Sequence, residues 1–208
     1  MFSCKAAELY ELKRFLDSVG SMRMSYSIND SLRYLSLNEK LELFGYFREN
    51  VAVDSEPKLC LVSDIDDTLV CAIRDRSYPH GTKYPGLTEF LKRFYKITFL
   101  SARPRSLAKA TVSFLKKRGL NGPVMFGSLT RIFSSEHMAE RKWFNLTLYM
   151  NVFCEPNFRW VFLGDCGQGD AAVAKMMLEG YESEKDKPIA LIHNLRAKKG
   201  VAMIPLEE

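Results

Sequence analysis

No apolar run in this sequence is long enough to cross a bilayer, and its first residues lack the apolar core of a secretory signal. A helical membrane span is therefore excluded, and a cytoplasmic protein is expected. The five cysteines, Cys4, Cys60, Cys71, Cys154 and Cys166, are odd in number and irregular in spacing, and no Cys-x-x-Cys pair occurs. That argues against a zinc site and a disulfide scaffold, and for a reducing compartment. There is no internal repeat and no low-complexity tract. No interleaving of basic and aromatic residues marks a nucleic-acid surface. The net charge of +5 is modest and spread out, with clusters at Lys116-Lys117-Arg118 and Lys198-Lys199. Such clusters are solvated helix ends or tails, or else they favour anionic substrates or an anionic membrane surface.

What remains is an ordinary globular composition. A chain of 208 residues that is 47% apolar makes one good-sized domain, or a core domain with a helical attachment. Residues 1–56 read as a mainly helical extension and residues 57–208 as the core domain. Ala7, Leu9, Leu12, Phe15 and Leu16 have helical spacing, and Gly20 would stop that helix. Asn29 or Asp30 would cap a second element through Leu32 and Leu35. The stretch from Leu35 to Gly45 fits strand by alternation and helix by composition. Val51-Ala52-Val53-Asp54-Ser55-Glu56-Pro57 reads as a linker.

From Lys58 onward strand and helix alternate. Strands are expected at Leu59–Ser63, Ile97–Ser101, Pro123–Phe126, Trp160–Gly164 and Pro188–His193. Helices are expected at Leu87–Phe94, Ser106–Arg118, Glu136–Val152 and Ala171–Glu179. The strand runs are short and nearly all apolar, as when helices cover both sheet faces. This order predicts an α/β fold, a three-layer sandwich on a mainly parallel, Rossmann-type sheet. Cys60, inside such a run, is expected as a buried thiol.

The polar residues that stand out fall at the exits of these strands, where ligands gather in such folds. The first exit is Ser63-Asp64-Ile65-Asp66-Asp67-Thr68, three carboxylates beyond a buried strand. Like charges so close oppose each other, and a divalent cation neutralises them; Mg2+ is the hard, oxygen-seeking candidate. The second exit ends in Ser101-Ala102-Arg103, and the exit after Trp160 in Gly164-Asp165-Cys166-Gly167-Gln168-Gly169-Asp170. A helical stretch before it supplies Lys142. Convergence of these segments would bring carboxylates, a hydroxyl and an ammonium into one cleft.

Together these segments resemble the four motifs of the haloacid dehalogenase superfamily of phosphotransferases. The closer similarity is to its phosphatidate phosphatase group, through the Ser-Asp-Ile-Asp-Asp-Thr first motif and the Gly-Asp-containing fourth. Pro85-Gly86 resembles the Pro-Gly before a helix in many members, and the likeness spans Leu59 to Arg196. The resemblance implies that Asp64 is the nucleophile and also a metal ligand, and that Asp66 is the general acid–base whose carbonyl adds to the metal site. It implies that Ser101 and Lys142 hold the phosphoryl group, with Ala102 and Arg103 beside them in the substrate site, and that Asp165 and Asp170 complete the Mg2+ site. Asp67 is read as structural, and Thr68 as holding the loop by a local side-chain bond. Other readings stand beside these. Asp66 also suits a turn, Ser101 or Ser106 a helix cap, and Asp170 a cap for a helix beginning at Ala171. Arg141 and Lys175 compete with Lys142. The sequence departs from the group at Ala102, where the group has asparagine, and at Arg105-Ser106, near where it has tryptophan.

The only room for a cap near the first motif is Leu69 to Tyr84, a flap rather than a domain. The expected active site is therefore open, with Arg74, Arg76, His80 and Lys83 as rim charges. The implied activity is Mg2+-dependent phosphomonoester hydrolysis through an aspartyl-phosphate, on phosphatidate or a related lipid phosphate met peripherally at a membrane surface. The alternatives are a phosphoprotein, nucleotide or polynucleotide-end phosphatase, and an inactive phosphate-binding or scaffolding protein.

Overall fold

The computed structural model describes residues 6–19, 27–51, 56–127, 134–167, 169–180 and 187–195. Cys4, Gly20, linker residues 52–55, Gln168 and Lys198-Lys199 lie outside the described residues. The five apolar runs form β1 (Lys58–Ser63), β2 (Lys96–Pro104), β3 (Val124–Gly127), β4 (Phe158–Asp165) and β5 (Ile189–His193). All pair in parallel, in the order β3-β2-β1-β4-β5. The helices are α1 (Ala6–Val19), α2 (Ile28–Leu32), α3 (Leu37–Glu49), α4 (Leu87–Leu91), α5 (Ala108–Lys116), α6 (Ser135–Val152) and α7 (Asp170–Glu179). This is the expected α/β sandwich, an arrangement consistent with a haloacid dehalogenase-like or other Rossmann-type fold. The strand order reverses between β1 and β4, and a crevice opens at such a switch point beyond the strands' carboxyl ends.

The period-2 pleat distributes apolar side chains to two cores. On one face Cys60, Val62, Leu100, Met125, Trp160 and Phe162 meet α6 and α7. Leu9, Ile28, Leu32, Phe44 and Phe47 of the first three helices join this same core. On the other, Phe99, Val124 and Phe126 meet Leu87, Val112 and Leu115. Burial pushes the Cys60 thiol up to about 12, as suits an inert core cysteine.

Several local expectations are corrected. The ambiguous segment after Leu35 is a helix, because Ser36 and Glu39 form a reciprocal capping box. Ser27, not Asn29 or Asp30, stands at the start of α2, and Asn29 is buried within it. Helix α4 stops at Leu91, where Arg93 and Phe94 tighten into three-residue turns on Phe90 and Leu91. Strand β2 runs on to Pro104 through an irregularity after Ser101. Ser106 lies inside a 3-10 turn, Arg105–Leu107, and caps nothing.

At the amino ends of the strands α1 docks through buried charge. Lys13 Nζ donates to the Val152 carbonyl at 2.9 Å and pairs with Glu155. Asp17 accepts from Tyr149 Oη at 2.5 Å and from Lys96 Nζ at 3.2 Å. Among the described residues no helix is long and apolar enough to cross a membrane.

Candidate active site

The first motif leaves β1 still tied to its neighbour, since the Asp64 amide donates to the Leu163 carbonyl at 2.8 Å. Asp64 is only 2% exposed. Asp67 takes a left-handed conformation, φ 59°, and turns its carboxylate into the flap. There it accepts from the amides of Ala72 (2.8 Å), Ile73 (2.9 Å), Arg74 (2.6 Å) and Asp75 (3.3 Å). Such bonding satisfies a buried anion without a metal. Its carbonyl contacts His193 Nδ1 at 2.8 Å, so the end of β5 also braces the motif. The flap is closed by the Cys71 amide donating to the Thr82 carbonyl at 2.9 Å and the Tyr84 amide to the Leu69 carbonyl at 3.2 Å. The Thr68 hydroxyl does not hold the loop as expected: it is buried without a partner.

Helix α6 buries Ala139, Lys142, Asn145, Leu146 and Tyr149, the spacing of one helical face. Lys142 is thereby carried into the crevice, where its Nζ donates to Asp64 Oδ1 at 2.7 Å and pairs with Asp170 Oδ1. Asp170 Oδ2 accepts from the Asp165 amide at 3.2 Å. Asp170 is the first residue of α7 rather than its cap; Gly169 precedes it at φ 83°. Gly164 makes this closeness possible, since a Cβ there would sit 2.6 Å from the Asp170 Cβ. Arg141 lies on a different side of α6, lining a separate cavity, and Lys175 pairs with Glu179 on the surface at 3.6 Å.

Burial pushes the Asp64 carboxyl well above the ordinary range, against the pull of the Lys142 charge. Asp165 and Asp170 are raised for the same reason and opposed by the same ammonium. Burial works against the Lys142 charge, but Asp64 and Asp170 outweigh it and raise its pKa.

Asp66 and the second motif meet separately. Arg103 holds Asp66 in a two-pronged pair, Nε to Oδ2 at 2.8 Å and Nη2 to Oδ1 at 2.5 Å. The Arg103 amide donates to Ser101 Oγ at 3.2 Å, leaving the serine proton available to a ligand. Ala102 packs its backbone against Gly127. The Arg103–Asp66 pair and the His193 contact were not foreseen from the sequence. His193 does share one signal with the other site residues, its place at a strand exit.

Five carboxylates, Asp64, Asp66, Asp67, Asp165 and Asp170, gather here against three cations, Lys142, Arg103 and Arg74. The Arg74 guanidinium lies against Gly167, at the turn after β4. With Asp66 matched by Arg103 and Asp67 by four amides, Asp64, Asp165 and Asp170 still outnumber Lys142 and Arg74, a set that a cation suits. Asp64 Oδ2 and Asp165 Oδ2 are buried with no hydrogen-bond partner, and hard oxygens of this kind fit Mg2+. Asp66 and Asp170 spend both their oxygens on other partners. Among the described residues no three His, Cys, Asp or Glu side chains gather around one metal position. A site with two carboxylates would need main-chain oxygen or water for its remaining ligands, as Mg2+ commonly has. Comparison with protein-family models, curated proteins and solved structures finds no match for this chain.

Proposed function

We propose that this chain is a Mg2+-dependent phosphomonoester hydrolase of the haloacid dehalogenase type, working through an aspartyl-phosphate. The observation that carries this is the buried Lys142 bridging Asp64 and Asp170 beside two partnerless carboxylate oxygens. Asp64 attacks phosphorus, and the bond from phosphorus to the alcohol oxygen breaks. Lys142 orients Asp64 and balances the anion that forms. The Ser101 hydroxyl donates to a phosphoryl oxygen. Asp64 and Asp165 would hold Mg2+, which when bound offsets the repulsion between carboxylate and phosphate. Asp170 positions Lys142 and the Asp165 turn from behind.

Asp66 is the acid–base. It gives a proton to the leaving alcohol and takes one from the water that cleaves the aspartyl-phosphate, releasing inorganic phosphate and regenerating Asp64. The guanidinium of Arg103 fits phosphate as well as carboxylate. On substrate binding it exchanges Asp66 for phosphoryl oxygens and frees the carboxyl to act. The proposed substrate is phosphatidate or a related lipid phosphate, on the sequence resemblance and on a flap too short to enclose the body of a substrate.

The test is turnover of phosphatidate in mixed micelles, phosphopeptides, nucleotides and phosphorylated DNA ends, with Mg2+, by the wild type and Asp64→Asn. Release of phosphate from phosphatidate, lost in the variant, is expected. Turnover of another class alone would sink the lipid assignment. Activity that survives Asp64→Asn would sink the nucleophile.

A further inference from the structure

The flap between the first motif and α4 is shaped by its own bonds. Asp67 holds its near end through the amides of residues 72–75. The Cys71 thiol lies 3.0 Å from the Asp75 carbonyl and 3.1 Å from the Tyr78 carbonyl. Asp75 accepts from the Ser77 amide at 2.8 Å and from the Tyr84 hydroxyl at 2.6 Å. At the far end Arg118 Nε donates to the Gly81 carbonyl. A loop bonded in this way is preorganised, so a partner that meets it has little ordering to impose.

What the flap turns outward is of two kinds. Ile73 is 55% exposed and Tyr78 42%, although Tyr78 keeps an edge contact with the Tyr84 ring at 6.1 Å. Covering such side chains releases the free energy that their exposure withholds. Beside them stand Arg74, Arg76 and Lys83, against one acid, Asp75, whose carboxylate is already taken within the flap. Arg74 answers Asp165 across the turn after β4. Arg76 and Lys83 meet no carboxylate among the described residues, and Lys83 donates only to the Thr88 hydroxyl, at 3.1 Å. A nucleic acid would meet these cations and leave Ile73 in water. A plain apolar groove would do the reverse. An anionic bilayer serves both, with lipid anions at its surface, hydrocarbon beneath, and tyrosine suited to the level between.

We propose that the flap docks this protein on an anionic bilayer, with Ile73 and Tyr78 entering the headgroup layer and Arg76 and Lys83 meeting lipid anions. Asp67, which anchors the flap, is three residues beyond Asp64. Docking therefore sets the carboxylate crevice against the headgroups, where a lipid phosphate enters it without leaving the membrane. That use of the docked state rests on the hydrolase reading above, whereas the docking itself does not.

The test mixes the full chain, in EDTA and without phosphatidate, with phosphatidylcholine vesicles containing about 30% phosphatidylserine, and follows co-sedimentation. An apparent Kd of about 1 mM lipid or tighter is expected, weakened at least about fivefold in roughly 0.5 M salt or on phosphatidylcholine alone. Ile73→Ser and Arg76→Gln should each weaken binding about fivefold with the thermal midpoint unchanged. The emission of Ile73→Trp should shift to the blue on binding. Leu12→Ser, at an exposed apolar position on α1, should bind as the wild type does. No binding at about 10 mM lipid would overturn the docking. Equal binding to phosphatidylcholine alone would overturn the role of the cations. Loss in Leu12→Ser but not in Ile73→Ser would move the contact to α1 and overturn the flap. Flap-dependent binding without turnover of phosphatidate would sink the lipid hydrolase and leave the docking. Turnover of a short-chain, monomeric phosphatidate without vesicle binding would sink the docking and leave the hydrolase.

Discussion

The two ends of the sheet both bury charge, and they balance it differently. At the amino ends Lys13 pairs with Glu155, and Asp17 with Lys96, so each cation has one carboxylate. Aromatic rings enclose the Lys13 ammonium, with Phe47 at 5.2 Å and Phe153 at 5.5 Å. At the carboxyl ends one ammonium, Lys142, serves two carboxylates, and more stand nearby. An orphan oxygen by itself does not separate the two, because Glu155 Oε2 is as partnerless as Asp64 Oδ2. Net charge separates them. A neutral buried pair is a structural fastening, whereas an uncompensated set of carboxylates awaits a cation or a proton.

The sharpest way to break this contrast is Asp64→Asn. Phosphate release should fall by at least about 10³-fold. The thermal midpoint should hold or rise, because the substitution removes a buried charge that its own pole does not balance. A large loss of stability would make the carboxyl end a fastening like the other. Lys13→Met is the converse. Leaving Glu155 buried and unpaired should cost about 3–5 kcal/mol in denaturant unfolding. The double variant Lys13→Met/Glu155→Leu should recover most of it, while kcat/KM of the folded protein stays near wild type. A fall in kcat/KM without a fall in stability would undo the division.

Mg2+ tests the charge excess directly. At about 100 times its Kd it should stabilise the protein by roughly 2.7 kcal/mol in a thermal melt. Asp165→Asn should abolish that gain, and Lys13→Met should keep it. Arg103→Met should lower kcat/KM about tenfold, mostly through KM, as a phosphate contact is lost. A rise in kcat/KM would instead mark the Arg103–Asp66 pair as a brake. The smallest effect belongs to a site at neither pole. Ser36→Ala removes the α3 capping box and should lower the thermal midpoint by about 2–4 °C without touching activity.

Much of the fold was legible because it rests on local patterns. Apolar runs such as Leu59–Ser63 and Trp160–Gly164 read as buried strands, and their polar exits as the place for chemistry. What was not legible depended on partners. The Leu35 stretch was ambiguous in periodicity, and the Ser36–Glu39 cap decided it. Asp67 was read as structural, without partners. Only the fold of the flap supplies the four amides that satisfy it. Thr68 was expected to bond locally, but burial left its hydroxyl alone. Arg103 was read as a phosphate contact, and the irregular end of β2 sets it on Asp66.

The sequence by itself determined that strands and helices alternate and that acidic residues follow β1 and β4, because strand period and apolar burial are written in neighbouring residues. Only the tertiary structure decided that Lys142 meets Asp64 across 78 positions. It also decided that Asp170 stands behind them and that the amino end closes its charges in pairs. Those outcomes follow from strand order and helix docking. Packing sets both over the whole chain, and no local run of residues encodes them.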